Sequence, residues 1–311
     1  MRHLKFRLVF VLLFAAVVFG LTGCGTSEKS VAPVVLNPFE GAAVGTDSTL
    51  EIVTWNLEHF AKKGDDTVDA VIQAIEGMDA DIIALQEIES FSSFRKVRER
   101  LVSWEGDRAT SAGYDINLAF LYRVDGDLQV ESVYEIMVDY SREFPRRPFV
   151  LEGTYRTHPI VVINNHFKCC GDGVISGDYN DEETRRRDAS LLLDDFIREN
   201  YTGKKVVVVG DFNDILTDSA SNNVFQNFLD APDQYLFADM DIANGPGSGW
   251  SFPGWPSHLD HILITASLFP DFQGPETLVK VVPLHTFLYN GLNSYDPLIS
   301  DHLPVVLKLG L

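Results

Sequence analysis

Short apolar runs of strand length alternate with amphipathic stretches along most of the chain, and this alternation limits the fold more than any other feature of the sequence. Apolar runs of this length, bounded by polar and turn-forming residues, are typical of buried strands. They predict strands at residues 50–57, 82–86, 118–122, 128–136, 149–155, 160–167, 206–209, 259–264, 278–282 and 303–309.

Three stretches between these strands have the spacing of amphipathic helices. The first covers residues 68–75 and stops near Gly77, and the second covers residues 94–104. The third begins where Thr184 can cap it and continues to about residue 200. The chain shows no repeat of fixed period and no second linker. It therefore predicts one α/β domain with a mixed sheet or sheets.

The first residues have the pattern of a targeting segment. A basic start with Arg2, Lys5 and Arg7 precedes an apolar run at residues 8–20, which is too short to span a bilayer comfortably. The Leu-Thr-Gly-Cys sequence that follows resembles the bacterial lipobox, which implies cleavage before Cys24 and a lipid on its thiol. An ordinary secretory signal is the alternative.

The predicted organisation is a signal peptide at residues 1–23, a lipidated N-terminus and tether at residues 24–48, and a catalytic domain at residues 49–311. It implies an exported protein that is anchored through lipid in the bacterial cell envelope. Because Gly25 rather than an aspartate follows the cysteine, the outer membrane or the cell surface is favoured. No obligate protein partner is implied, and a monomer is expected.

The chain is acidic, with 45 Asp and Glu against 25 Lys and Arg and a formal net charge of −20. Proteins that hold nucleic acid by its phosphates usually present a basic face. The acidity therefore disfavours tight nucleic-acid binding. The acidity does not exclude nucleic-acid cleavage, because a protein with a negative net charge can still have a local basic cleft.

The cysteines indicate neither a zinc site nor a catalytic thiol. Apart from Cys24, the chain has only Cys169 and Cys170, which are adjacent, and no spaced cysteine pair is present. A strained vicinal disulfide, which an oxidising compartment permits, and two buried free thiols are both open.

Polar residues interrupt six of the predicted strands at or beside their ends. A single acid after a strand is usually a helix cap or a solvated loop residue, but six such segments are hard to attribute to capping. Strand ends of α/β folds are where functional sites assemble. The six segments are Trp55-Asn56-Leu57-Glu58, Leu85-Gln86-Glu87-Ile88, Asn164-Asn165-His166-Phe167, Gly210-Asp211-Phe212-Asn213-Asp214, His258-Leu259-Asp260-His261 and Ser300-Asp301-His302.

The residue types in these segments favour one kind of chemistry. Carboxylate and amide oxygens suit hard cations such as Mg²⁺ or Mn²⁺. Together with histidines they suit attack of water on phosphorus, in which a cation offsets charge, a base orients water and an acid assists the leaving group. The chain has no HExxH zinc motif, no GxSxG elbow and no phosphate-binding glycine loop. A metal-dependent phosphoesterase is therefore indicated.

The ordered motifs WNLE, LQE, NHF, GDFN, LDHI and SDHLPV resemble those of the endonuclease/exonuclease/phosphatase superfamily, over about residues 50 to 310. That superfamily includes pancreatic deoxyribonuclease, abasic-site endonucleases, phosphoinositide 5-phosphatases and neutral sphingomyelinases. The resemblance implies an α/β four-layer sandwich, in which two packed mixed β-sheets are flanked by helices. It also implies Mg²⁺ or Mn²⁺ as the cofactor.

The resemblance implies a role for each matching residue. Glu87 is the expected principal metal ligand, with Asn56 beside it and Asp301 joining the metal site. Asp211 is expected to align or deprotonate the attacking water, and Asn213 to hydrogen-bond the phosphate or that water.

The two histidines have implied roles as well. Asp260 is expected to hold the imidazole of His302, which contacts the scissile phosphate as a donor. His166 is expected to donate to a phosphate oxygen or to the leaving group, and a structural core histidine is the alternative. For Asp260 the alternative is a strand-end carboxylate paired with His258 or His261.

Two further matches concern the phosphate. Arg147 precedes a strand as a phosphate-binding arginine of the family does, and Tyr114 has the spacing of a phosphate-contacting tyrosine of deoxyribonucleases. A surface arginine and an ordinary loop tyrosine are the alternatives. Ile116 stands where pancreatic-type deoxyribonucleases place a glutamate that orients the histidine matched by His166.

The implied function is metal-dependent hydrolysis of phosphate esters, with a nuclease-like phosphodiesterase favoured. The alternatives are a phosphomonoesterase, a lipid phosphodiesterase of sphingomyelinase or inositol-phosphatase type, and a surface binding protein that has lost the chemistry. The substrate would be nucleic acid or a small or lipid phosphodiester, and the membrane would be reached through the lipid on Cys24.

Overall fold

The computed structural model describes residues 37–112 and 116–311. Its strands are β1 (Leu50–Phe60), β2 (Ile82–Ile88), β3 (Trp104–Arg108), β4 (Asn117–Arg123), β5 (Leu128–Glu135), β6 (Phe149–Tyr155), β7 (His158–His166), β8 (Lys205–Asp211), β9 (Tyr235–Phe237), β10 (Asp260–Thr265), β11 (Leu278–Val281) and β12 (Val305–Leu309). Its α-helices are α1 (Asp65–Met78), α2 (Phe91–Arg100), α3 (Glu182–Asn200), α4 (Gln226–Leu229), α5 (Met240–Ala243), α6 (Phe269–Phe272) and α7 (Leu292–Leu298).

The strands form two sheets of six, in the orders β11-β12-β1-β2-β4-β3 and β5-β6-β7-β8-β10-β9. The pairs β1–β2 and β7–β8 are parallel, and the remaining neighbours are antiparallel. A parallel pair needs a crossover connection, which α1 and α3 provide. Both sheets are therefore mixed, as predicted.

Apolar side chains pack in three clusters that separate four layers. Between the sheets, Phe120 of β4 stacks on Phe149 of β6 with ring centroids 5.6 Å apart, inside a buried cluster drawn from both sheets. A second cluster packs α1 and α2 against the outer face of the first sheet. A third packs α3 against the outer face of the second. The predicted four-layer α/β sandwich is thus confirmed.

Each predicted strand is present, but two helix boundaries differ from the prediction. The second helix ends at Arg100, and Trp104, expected in that helix, begins β3 after Ser103 turns the chain with a φ of 66°. The third helix is capped by Asp181 rather than Thr184, because an Asp181 oxygen accepts from the Thr184 backbone N–H at 2.7 Å.

The N-terminal part of the described chain packs on the body. Phe39 and Val44 are buried beside α1, and the Val44 backbone N–H donates to the Met78 carbonyl at 2.9 Å. Part of the segment expected as a tether is therefore packed, whereas Cys24 lies outside the described residues. In the described part of the chain, no helix is long and apolar enough to cross a membrane.

Candidate active site

Side chains from four strand ends meet at one edge of the sandwich. Asn56 of β1 donates through Nδ2 to Glu87 Oε1 at 3.2 Å and to Asp211 Oδ2 at 2.9 Å, so that one amide connects the two sheets. His166 Nε2, at the end of β7, lies 3.5 Å from Asp211 Oδ2 and 3.8 Å from Glu87 Oε1. Four residues of separate sequence motifs thus form one cluster.

Strand direction explains why they meet. Parallel β1 and β2 end at this edge in the first sheet, as parallel β7 and β8 do in the second. In addition, β10 and β12 run antiparallel to their neighbours β8 and β1, so their first residues lie at the same edge. The segments that contain Asp260 and His302 are thereby brought to the cluster.

Gly210 permits the close approach of β7 and β8 just before the cluster. Its φ is 148°, and a Cβ at this position would lie 2.0 Å from the Asn165 carbonyl oxygen. Only glycine fits that space without moving the backbone. The glycine in the predicted Gly-Asp-Phe-Asn segment therefore has a packing role beside Asp211.

Several backbone groups turn towards the carboxylates through left-handed conformations. Glu87, His59 and Asn213 have φ values of 61°, 51° and 53°. The His59 N–H donates to Glu87 Oε2 at 3.0 Å, and the Asn213 N–H donates to Asp211 Oδ1 at 3.0 Å. Such conformations are costly for non-glycine residues and concentrate at functional sites. Here they leave both carboxylates held by backbone donors.

His302 and Asp260 form a buried pair at the edge of the cluster. Asp260 Oδ2 lies 2.8 Å from His302 Nδ1, and His302 Nε2 points towards Asp211 Oδ2 at 3.9 Å. Burial opposes a charged imidazole, but the charges of Asp260 and Asp211 outweigh it and raise the pKa of His302 to about 10. His302 is therefore a protonated donor. Its ring packs on Phe252 at 4.7 Å between centroids.

His166, in contrast to His302, is held in the neutral form. Burial lowers the pKa of His166 well below its usual value, with the charges of Arg146 and His302 adding to the effect. Its Nδ1 is buried and has no hydrogen-bond partner among the described residues. Ile116, which stands where a pancreatic-type deoxyribonuclease is expected to have an orienting glutamate, has no hydrogen-bonding side-chain atom. The neutral ring, with its Nε2 facing two carboxylates, suits a hydrogen-bond donor rather than a proton source.

The acids of the cluster carry more negative charge than their neighbours neutralise. Burial, with Asp260 and Glu87, raises the pKa of Asp211 to about 6. Burial, with Glu58, raises the pKa of Asp301 to about 7, and Asp301 Oδ1 is buried without a hydrogen-bond partner among the described residues. This oxygen-rich, over-charged set fits a hard divalent cation.

A second candidate metal-ligand group lies deeper in the fold. One ligand atom from each of Asp239, His258 and His261 lies within 4.8 Å of the others, and all three residues are buried. Asp239 Oδ2 is bonded to His258 Nε2 at 3.0 Å and to His261 Nδ1 at 2.6 Å. Because these bonds occupy the facing ligand atoms, the group forms a structural cluster behind the site.

Arg146, the other arginine before β6, lies within electrostatic range of the cluster. Arg146 Nη2 donates to the Phe167 carbonyl at 3.3 Å, and its Nε has no partner among the described residues. Burial lowers the pKa of Arg146, while the charges of Asp211 and Glu87 oppose that change. A partly unpaired guanidinium next to the carboxylates suits a phosphate.

The structure does not bring Arg147 into the cluster. Its guanidinium donates instead to the Val138 carbonyl at 3.4 Å. The pattern Arg-Arg-Pro before β6 signals an arginine at this place, but it does not decide which of the two faces the site. Tyr114 lies outside the described residues, so its role stays a prediction.

A cavity of about 300 Å³ adjoins the cluster. The described residues that line it include Ile116, Ala112 and Pro145 on its apolar side and Arg146, His59 and Glu89 on its polar side. His59 Nδ1 and Glu89 Oε1 are 2.6 Å apart. The cavity therefore borders the cluster on the side of His59 and Arg146.

A model of the Endonuclease/Exonuclease/phosphatase family matches residues 53–302. Similar solved structures include D. rerio TDP2 with a single-strand DNA product, at 14% identity, TM-score 0.64 and coverage of 85% of this chain and 100% of that one. No curated protein matches the chain.

Two other similar structures have equally low identity. The human Nocturnin catalytic domain with bound sulfate is 15% identical, with TM-score 0.58 and coverage of 86% of this chain and 96% of that one. Mannosyl-6-phosphatase from Bacteroides thetaiotaomicron is 16% identical, with TM-score 0.57 and coverage of 84% and 100%. At such identities the likeness concerns the fold.

Proposed function

The chain belongs to the endonuclease/exonuclease/phosphatase family, and from this premise we propose that it hydrolyses a phosphoester bond of a small substrate at the described cluster. The observation that carries the proposal is the bridge from Asn56 to Glu87 and Asp211, with the Asp260–His302 pair directed at Asp211. These groups lie close enough together to act on one phosphate.

Glu87, Asn56 and Asp301 would hold a divalent cation, which when bound offsets charge on the phosphate oxygens. The protonated Nε2 of His302 donates to a phosphate oxygen, since Asp260 keeps the imidazolium in place. The guanidinium of Arg146 and the side-chain amide of Asn213 supply further hydrogen-bond donors. Preorganised donors of this kind stabilise charge that develops in the transition state.

Asp211 is the group suited to take a proton from water. It is buried, its Oδ1 is fixed by the Asn213 N–H, and its pKa is raised to about 6, closer to neutrality than that of an ordinary aspartate. A base works best when its pKa lies near the operating pH. His302 cannot share this role while it is protonated, and His166 donates a hydrogen bond to a phosphate or leaving-group oxygen.

The charges around the cluster favour a small ester over a polymer. Lys62 is paired with Glu58 and Asp296, and Lys168 lies 3.8 Å from Glu182. A nucleic-acid track needs several cations free to meet phosphates. The paired lysines, the cavity of about 300 Å³ and the net charge of −20 all support a phosphomonoester or a small phosphodiester.

A nuclease-like phosphodiesterase remains the second candidate because of one exposed aromatic residue. Trp255 is 78% exposed in the loop that follows Phe252, whose ring lies against His302. An exposed aromatic side chain near a phosphate site can stack on a nucleobase. Short single strands, rather than duplexes, would suit such a contact.

Hydrolysis by the purified protein should be measured on sugar phosphates, bis-p-nitrophenyl phosphate, single-stranded DNA, RNA, sphingomyelin and phosphoinositides, each with Mg²⁺, with Mn²⁺ and with EDTA. We expect turnover of small esters that EDTA abolishes. Glu87→Gln and His302→Asn should each lower kcat by about 10²-fold or more. Exposed Glu105 of β3 gives the matched control, Glu105→Gln.

Unchanged turnover in Glu87→Gln or His302→Asn would contradict the site assignment. A clear preference for DNA or RNA over every small ester would instead support the second candidate.

A further inference from the structure

Two adjacent thiols lie in the loop that leaves β7, three and four residues after His166. Both cysteines are free, with Cys170 exposed and Cys169 partly buried. The Cys170 thiol donates to Cys169 Sγ at 2.9 Å. Since Cys170 is open to solvent, the pair is not the two buried thiols considered from the sequence.

Cys169 Sγ is contacted by two neighbouring side chains. Its sulfur receives the Cys170 S–H, and Lys168 Nζ lies 3.6 Å away. The same ammonium group donates to the Cys169 carbonyl at 2.9 Å and lies 3.8 Å from Glu182 Oε1. Cys170 is the partner that keeps its proton, because its hydrogen bond to Cys169, with burial, raises the pKa of Cys170.

The loop is held in the conformation that keeps the two sulfurs together. Arg186 Nη1 donates to the Lys168 and Cys170 carbonyls, each at 2.7 Å, and so fixes the backbone on both sides of Cys169. Arg186 itself is buried and paired with Glu183 and Asp214. Cys170 has a left-handed φ of 73°, so the backbone there is already in an uncommon conformation.

We propose that Cys169 and Cys170 are a redox modification site that closes reversibly into a vicinal disulfide by exchange with a small-molecule disulfide such as oxidised glutathione. The Cys169 thiolate attacks one sulfur of the reagent, whose S–S bond breaks and releases one thiolate. Cys170 then loses its proton and attacks the Cys169 sulfur, which releases the second. The protein gives up two protons and two electrons, and the reagent becomes two thiols.

The bond should be reversible rather than a permanent crosslink. Consecutive Cα atoms are about 3.8 Å apart, whereas disulfide-bonded residues usually have Cα atoms about 4.4–6.8 Å apart. A disulfide between neighbours is therefore strained and easily reduced, and exposure of Cys170 gives reductants access. Neither cysteine belongs to a candidate metal-ligand group among the described residues. The geometry therefore favours a disulfide over a soft-metal site.

The test is to equilibrate the reduced full-length protein in buffers of graded glutathione redox ratio, quench it with acid, alkylate the free thiols and digest with trypsin. Cleavage after Lys168 and Arg185 releases a peptide with both cysteines and without Cys24. We expect this peptide to escape alkylation in oxidising buffers, with a mass two hydrogen atoms below that of the unalkylated dithiol peptide, and to be alkylated at both cysteines after addition of dithiothreitol.

Two variants separate the roles of the sulfurs. Cys170→Ser should stop at a mixed disulfide with glutathione on Cys169, because the resolving thiol is gone. Lys168→Gln, followed through the longer peptide 157–185, should slow oxidation by about threefold to tenfold, since the positive charge 3.6 Å from the attacking sulfur is removed. Exposed Lys63 gives the control, Lys63→Gln, which should leave the rate unchanged.

The proposal fails if the wild-type peptide yields only glutathione adducts or intermolecular dimers. It also fails if both thiols stay alkylatable in the most oxidising buffer.

Discussion

Three of the four buried histidines in the described part of the chain differ in charge because their neighbours differ, although all three follow from short motifs. His302 is held as an imidazolium by Asp260, whereas His166 is kept neutral by burial beside Arg146. His261 contacts Asp239 at 2.6 Å and the Asp214 carbonyl at 2.9 Å. With an acceptor at each nitrogen, His261 also carries two protons.

Asp260→Asn should show how far the carboxylate controls His302. The pKa of His302 is raised to about 10, so the donor is present below that pH and is lost as the pH rises through it. Without the carboxylate this loss should occur at lower pH. We expect kcat to fall by about 10²-fold and the alkaline limb of the kcat–pH profile to move towards neutrality. An alkaline limb that stays at the same pH would show that Asp260 does not control the protonation of His302.

Arg146→Met and Arg147→Met form a matched pair of substitutions of adjacent, chemically identical residues. Arg146 lies by Asp211 and Glu87, whereas Arg147 bonds the Val138 carbonyl. We expect kcat/KM to fall by about tenfold to a hundredfold for Arg146→Met, the loss of a charged hydrogen bond, and to change by less than about twofold for Arg147→Met. The reverse order would restore Arg147 as the phosphate-binding residue.

These two arginines also show which properties of single residues could not be predicted from the sequence. Asn56, Glu87, His166 and Asp211 were predictable because each lies in the carboxyl-terminal half of a buried strand, whose alternation and direction fix where its end lies. The segment before β6 is irregular, so no periodicity tells which of two consecutive arginines turns inward. The charge states were not predictable either, since they depend on contacts between separate motifs.

Among the elements, strongly apolar ones were predictable and short or polar ones were not. Runs such as β8 are buried on both faces and therefore read as continuous apolar sequence. β3 has the sequence Trp-Glu-Gly-Asp-Arg at a sheet edge, with Glu105 and Asp107 exposed. Its pairing with β4 depends on tertiary contacts that the local sequence does not encode. The sequence around Trp104 therefore predicted a helix.

The Asp239–His261 pair should make stability depend on pH through the elements it connects. Asp239 Oδ1 accepts from the Ile262 N–H of β10 at 2.9 Å, while His261 reaches the Asp214 carbonyl beyond β8. Burial opposes the charge, but Asp239 raises the pKa of His261 above its usual value. The stabilisation is complete below about pH 6.5 and is lost as the pH rises through the folded-state pKa.

Urea unfolding between about pH 6 and pH 9 would measure this dependence. The free energy of unfolding of the wild type should fall across the window, and Asp239→Asn/His261→Gln should be less stable at the low end with a smaller slope. Equal slopes in the two proteins would mean that His261 is not charged. Glu51, whose pKa burial raises to about 8, contributes in both and so leaves the comparison intact.

For the molecule as a whole, the site and the start of the described chain lie at opposite ends of β1. The chain enters β1 at Leu50, and the site begins at Asn56 and continues beyond it. The packed segment around Val44 bonds the end of α1, which leads into the start of β2 rather than its end. The described residues that precede β1 therefore pack on the body away from the catalytic edge.

That placement leads to a prediction about the anchor. If Cys24 carries a lipid, radiolabelled fatty acid should enter the wild-type chain expressed in a bacterium and should be absent from Cys24→Ser. The wild type should fractionate with membranes and the variant with soluble protein. Because the described residues before β1 pack away from Asn56, Glu87 and His302, kcat/KM for a water-soluble phosphate ester should agree within about twofold between detergent-solubilised wild type and Cys24→Ser. Label that persists in Cys24→Ser would exclude this residue as the lipid attachment site. A large loss of kcat/KM in the variant would instead show that the N-terminal segment affects the catalytic edge.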